Sequence, residues 1–135
     1  MLVGNHELAV LVDFALFEQT PESRRLRQVL LDRVLSSDPA AGWKAVTCVD
    51  GILISHAGIV RHYAPVFHGE CRGRPELLAD ALNREFLRAV RRELENGDRD
   101  DDGILGDRGP LWFRPDVDGG AEPLPGVIRC ATATR

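Results

Sequence analysis

Between Ala45 and Ser55 the chain reads Ala-Val-Thr-Cys-Val-Asp-Gly-Ile-Leu-Ile-Ser. Two short runs rich in β-branched residues, 45–49 and 52–55, are separated by Asp50-Gly51 alone. A two-residue Asp-Gly link is the strongest short-range hairpin signal, because its turn needs positive φ at both positions and these residues tolerate it. The two runs are therefore expected to pair as antiparallel strands, which commits the middle of the chain to a sheet. The second strand delivers His56 to its end, followed by the small residues Ala57-Gly58.

The chain opens on a comparable junction. Leu2-Val3 runs into Gly4, and Asn5-His6-Glu7 follow at the mouth of a helix expected over residues 6–18. Leu8, Leu11, Val12, Ala15 and Leu16 fall at i, i+3, i+4 spacing there. Gly4 lets the backbone turn where a side chain would clash. Polar groups at such a turn face a cleft more easily than polar groups inside a strand. His6 and His56 thus share one setting, a strand end beside a small flexible turn, and two strands of one sheet can bring such ends together.

Helices are expected around these junctions. Thr20-Pro21-Glu22-Ser23 reads as a helix start, with Thr20 as N-cap and Pro21 in the first helical position. Leu26, Val29, Leu30 and Val34 form its apolar stripe, Arg24, Arg25, Arg27 and Arg33 a solvated face, and Ser36-Ser-Asp-Pro39 its stop. Residues 60–74 lack periodicity, and His62 and His68 read as surface-loop histidines. Pro75 opens a long helix to about Asn96, with Leu78, Leu82, Phe86, Val90 and Leu94 stepping by four and Gly97 as C-cap. Arg84, Arg88, Arg91 and Arg92, with Glu93 and Glu95, form its exposed face.

With 135 residues and 44% apolar content, the chain is one domain or part of one, with enough apolar surface for a core. A net charge of −4 argues against a general nucleic-acid binder. Neither a signal peptide nor an apolar run long enough to span a membrane is present. Cys48, Cys71 and Cys130 are odd in number and widely spaced, as expected for reduced thiols in a cytoplasmic protein.

Three stretches then point to a chemistry. Gly4-Asn-His-Glu7 at the end of a short apolar strand resembles the third signature block of the calcineurin-like metallophosphoesterases. Ile54-Ser-His-Ala-Gly-Ile59 resembles the family's next metal-ligand block. Asp107-Arg-Gly-Pro-Leu-Trp-Phe-Arg114 is similar to a segment of phosphatases of the serine/threonine type and their bacterial relatives. They occur in the expected order. The resemblance implies an α+β fold, part of a sandwich of packed mixed sheets flanked by helices, spanning residues 1–135. It implies hydrolysis of phosphate esters by two divalent metal ions, manganese, iron or zinc. Such ions sit about 3.5–4 Å apart, activate water and neutralise charge on the phosphoryl oxygens. Asn5 and His56 would be metal ligands, and His6 would protonate the leaving oxygen, work to which histidine is suited. Glu7 would orient His6 or its neighbours. Arg108 and Arg114 could grip phosphate in bidentate fashion, and Trp112 and Phe113 could wall a pocket. The substrate would be a phosphorylated small molecule, a dinucleoside polyphosphate or a phosphoprotein, with no nucleic acid and no membrane as partner.

The chain departs from that pattern at both ends. The family's first two blocks, which carry an Asp, a His and the bridging Asp, should precede Gly4, and they are absent. After His68 no histidine follows, although the family has a Gly-His-Thr ligand near Val127-Ile128. Two neutral ligands are too few to hold a hard divalent cation. The expectation is an N-terminally truncated phosphoesterase, inactive as it stands, with a sheet edge left exposed where opening strands are lost. The alternative is a non-catalytic remnant or interaction module on the same scaffold. A calcium-binding reading rests on Asp98, Asp100, Asp102 and Gly103, which match the first positions of an EF-hand loop. Its twelfth position should be a bidentate carboxylate and is Gly109.

Overall fold

In the computed structural model, which describes residues 2–12, 18–36, 42–97, 103–106, 109–111, 124 and 127–129, the hairpin forms in the expected register. Strands β1 (Val46–Val49) and β2 (Ile52–Ser55) pair antiparallel, from Val49 opposite Ile52 to Val46 opposite Ser55. Asp50 and Gly51 both have positive φ, 51° and 77°, as a tight two-residue hairpin requires. A third strand, β3 (Val127–Arg129), joins β2 on its other side and runs parallel to it, with Ser55 opposite Arg129. The described residues thus form a small α+β fold with one three-stranded mixed sheet.

Helix α1 (Asn5–Val12) begins one residue after Gly4. Helix α2 (Pro21–Val34) is started by a full capping box: the Thr20 hydroxyl accepts from the Ser23 N–H, and the Ser23 hydroxyl accepts from the Thr20 N–H. Its buried side differs from the expected stripe. Leu30 and Val34 are buried, but Leu26 and Val29 are about half exposed, at 51% and 49%. The inward row is instead Ser23, Arg27, Leu30, Leu31 and Val34. Arg27 lies on that row because its Nη2 donates to the Leu11 carbonyl at 3.2 Å, tying α2 to the end of α1.

Residues 61–68, aperiodic in sequence, form a 3₁₀ turn (Arg61–Tyr63) and a five-residue helix α3 (Ala64–His68). His62 and His68 are exposed there, as expected for surface histidines. Helix α4 (Pro75–Asn96) ends on Gly97 in the left-handed conformation, and its Leu78, Leu82, Phe86 and Val90 are buried. It packs across β1 and β2 and also against α1 and α3. One apolar cluster joins these residues to Val3, Leu8 and Leu11 at the front of the chain and to Ile59, Ile104, Leu111 and Leu124 later in it.

β1 is an edge strand, yet its start is not bare. Leu2 forms a single parallel bridge with Lys44, and the Val3 N–H donates to the Lys44 carbonyl at 2.8 Å. Val46, fully buried, has both peptide groups met by one side chain. Its N–H donates to Asn83 Oδ1 at 3.0 Å, and its carbonyl accepts from Asn83 Nδ2 at 2.7 Å. The amide of Asn83 therefore does what a neighbouring strand would do. Each buried peptide group left unmet costs about 1–3 kcal/mol. Asn83→Ala is expected to destabilise the protein by about 2–4 kcal/mol in denaturant melts, whereas Arg88→Ala on the exposed face of α4 should stay within about 0.5 kcal/mol. Equal effects for the two would show that the amide holds nothing.

Candidate functional site

The site is built where the turn after β2 meets the N-terminal turn. Gly4 is the N-cap position of α1, and Glu7, at the third helical position, reaches back so that its Oε2 accepts the Gly4 N–H at 2.9 Å. That is the carboxylate half of a capping box, and it satisfies a peptide group the helix cannot. Acidic residues in a first turn also suit the helix dipole. Glu7 therefore fixes the turn that carries Asn5 and His6. His6 is exposed in the first turn of α1, and Asn5 opens that helix.

His56 comes against this turn from the other side. A Cβ placed on Gly4 would lie 3.2 Å from both Cε1 and Nδ1 of His56 and 2.5 Å from Glu7 Oε2. The glycine is needed here for space: any side chain would push the imidazole and the carboxylate apart. The N-terminal segment reaches this position through the start of β1, since Leu2 bridges Lys44 while Ser55, just before His56, pairs with Val46.

The third stretch arrives through its backbone. The Ala57 N–H donates to the Pro110 carbonyl at 2.8 Å, and Gly109, Pro110 and Leu111 are buried. One residue on, the Gly58 N–H donates to the Ser55 hydroxyl at 2.9 Å, and the Leu124 N–H donates to the Ile59 carbonyl. The segments 4–7, 55–59 and 109–111, distant in sequence, are thereby joined around His56 and Ala57. Asp107, Arg108, Trp112, Phe113 and Arg114 lie outside the described residues, as does the side chain of Asn5.

Among the described residues the donor set does not fit a two-metal centre. Among the described residues no group of three or more His, Cys, Asp or Glu side chains is arranged to hold a metal ion, and Glu7 is engaged by the Gly4 N–H. The EF-hand resemblance fails at Gly109. A Cβ there would run into the Ile104 carbonyl, so no carboxylate can stand at the twelfth position without moving the backbone. Asp98, Asp100 and Asp102 lie outside the described residues.

Of the cysteines, Cys48 is half-buried and Cys71 buried, and both are free. Burial, then the nearby Glu70 carboxylate, push the Cys71 thiol up, which makes it a poor nucleophile. Cys130 lies outside the described residues. No described helix is long and apolar enough to cross a membrane.

Two contributors were not singled out from sequence. Ser55 is fully buried and polar, and its one signal was its place inside the Ile-Ser-His-Ala-Gly stretch. Asn83 stands mid-helix beside the apolar stripe, where an amide is a poor helix former and needs a partner. Comparison of the chain with protein-family models, with curated proteins and with solved structures finds no match in any of the three.

Gly4→Ala is expected to separate the Gly4 turn from His56. The nuclear Overhauser contact between the His56 ring and residue 4 should disappear. Stability should fall by about 1–3 kcal/mol, the range for overpacking a filled site. A retained ring contact with unchanged stability would refute the close approach.

Proposed function

We propose that the chain carries one side of a metallophosphoesterase-type site for phosphate-ester hydrolysis and does not itself turn over esters appreciably. The observation that supports this reading is the meeting of the three stretches: the His56 ring lies against Gly4, and Ala57 is bonded to Pro110. A strand end, a helix start and a loop that resemble three parts of one site would be expected to converge in that way. Asn5 and His56 are then the ligand candidates, His6 the proton donor to the leaving oxygen, and Arg108 and Arg114 the phosphate contacts. Glu7 serves by holding the turn under Asn5 and His6. The sheet of β1, β2 and β3 would be one part of the family's sandwich. The substrate class is a phosphorylated small molecule, a dinucleoside polyphosphate or a phosphoprotein.

Because the described side chains do not fit two metal ions, no step of hydrolysis is assigned to metal in this chain. His6 acting as a general acid supplies about 10²–10⁴-fold. That is small beside the acceleration, up to on the order of 10²¹, that phosphate-monoester hydrolysis needs. The same disagreement favours a second reading, a non-catalytic module on this scaffold. The two separate on one experiment. Residues 1–135 assayed on a chromogenic phosphate ester with manganese should show no appreciable turnover. A version bearing the two carboxylate blocks ahead of Leu2 and a histidine restored near the C-terminus should become active. In it, His6→Ala should lower turnover while sparing metal binding, and Asn5→Ala or His56→Ala should weaken metal binding itself. Persistent inactivity of the extended version would leave the non-catalytic reading. Robust turnover by the unextended chain, lost in His6→Ala, would show that the ligands come from elsewhere.

A further inference from the structure

We infer that Ser55 is a positioning residue that holds His56 in place by closing the turn that follows β2. The inference rests on the reading of His56 as a site residue. Ser55 is the buried polar residue of the described core, with no exposed surface. Its hydroxyl accepts the Gly58 N–H at 2.9 Å, across three residues, in a buried setting. The hydroxyl therefore replaces the main-chain carbonyl that would otherwise close such a turn, as serine side chains do at turns.

The geometry around it leaves His56 little freedom. Ser55 is fixed at one end by the sheet, opposite Val46 of β1 and Arg129 of β3. Gly58 has φ of 116° and is buried. Between these two anchors, Ala57 is held by the Pro110 carbonyl, and His56 is pressed toward the space that Gly4 leaves open. Remove the hydroxyl, and the Gly58 N–H is left without its acceptor at a buried position. The turn is then expected to re-form around another partner or to open, and either change rotates His56 away from Gly4. A serine that only packed against the strand face would not spend its hydroxyl on the turn that carries the histidine.

The test uses the full chain, residues 1–135, with isotope labelling. In the unsubstituted protein the Gly58 amide should exchange slowly with solvent, and the His56 ring should show Overhauser contacts to Gly4. Ser55→Ala should speed Gly58 exchange by about tenfold or more relative to the amides of α4, as expected for loss of a buried hydrogen bond. It should also weaken or abolish the His56–Gly4 contact, while Phe86 and Leu82 contacts persist. Ser55→Thr, which keeps the hydroxyl, should restore both. Free exchange of Gly58 in the unsubstituted protein would overturn the inference whether or not a variant folds, and so would an unchanged His56–Gly4 contact in Ser55→Ala. These readouts are independent of turnover. An inactive extended enzyme with the expected Ser55 behaviour would sink the hydrolase reading alone, and an active one with a Ser55-insensitive His56 would sink this inference alone.

Discussion

The peptide groups on the outer side of β1 must be met without a full neighbouring strand, and much of the fold follows from how that is done. Alternate residues of an edge strand point their N–H and C=O groups away from the sheet. At Lys44 the chain's own N-terminal segment answers, through Val3. At Val46 the answer comes from Asn83 in the middle of α4. The first bond brings Leu2 and Val3 to the sheet, so that α1 starts close to the end of β2. The second ties the longest helix to the hairpin in one rotation and one register. Apolar burial supplies most of the driving force but has no direction, so these paired hydrogen bonds decide where the elements stop. The outer edge of β1 is thus partly covered by the chain itself.

The turn from Ser55 to Gly58 joins buried apolar residues to a polar one. Ile59, Val60, Leu111 and Leu124 belong to the same buried apolar cluster as the α4 residues. Within it, His56 lies against Gly4, whose N–H donates to the Glu7 carboxylate. The apolar residues anchor the polar one, which is how a loop can hold a side chain to the tolerance that binding or proton transfer needs.

Much of this arrangement could be read from particular residues. Asp50-Gly51 announced the hairpin and its register, Thr20-Pro21 the start of α2, and Pro75 and Gly97 the limits of α4, because each acts through local backbone geometry. The two histidine-bearing turns were also legible, since Gly4 and Ala57-Gly58 are small where two backbones approach. What escaped was non-local. Leu26 and Val29 count as apolar in any periodic stripe, but the inward row of α2 was set by Arg27 finding the Leu11 carbonyl. Nothing near Glu7 in sequence says that its carboxylate turns back to Gly4 instead of toward His6. The strand at 127–129 was not singled out, and its parallel pairing with β2 is a property of the assembled chain.

That parallel pairing has a consequence for how the molecule is made. More than half of the chain separates Leu53 from its partner Val127. A hairpin closes in about 1–10 μs once its two strands exist, so β1 and β2 can join as soon as residue 55 is free to move. β3 emerges from synthesis only after all the residues that separate it from β2, and a contact of such sequence separation forms slowly in any case. While those residues are being made, the far side of β2 is therefore an open strand edge carrying Leu53 and Ile54. An edge of that kind pairs readily with other chains. The nascent protein passes through a long interval in which its correct third strand does not yet exist, and its vulnerability to misassociation is greatest then.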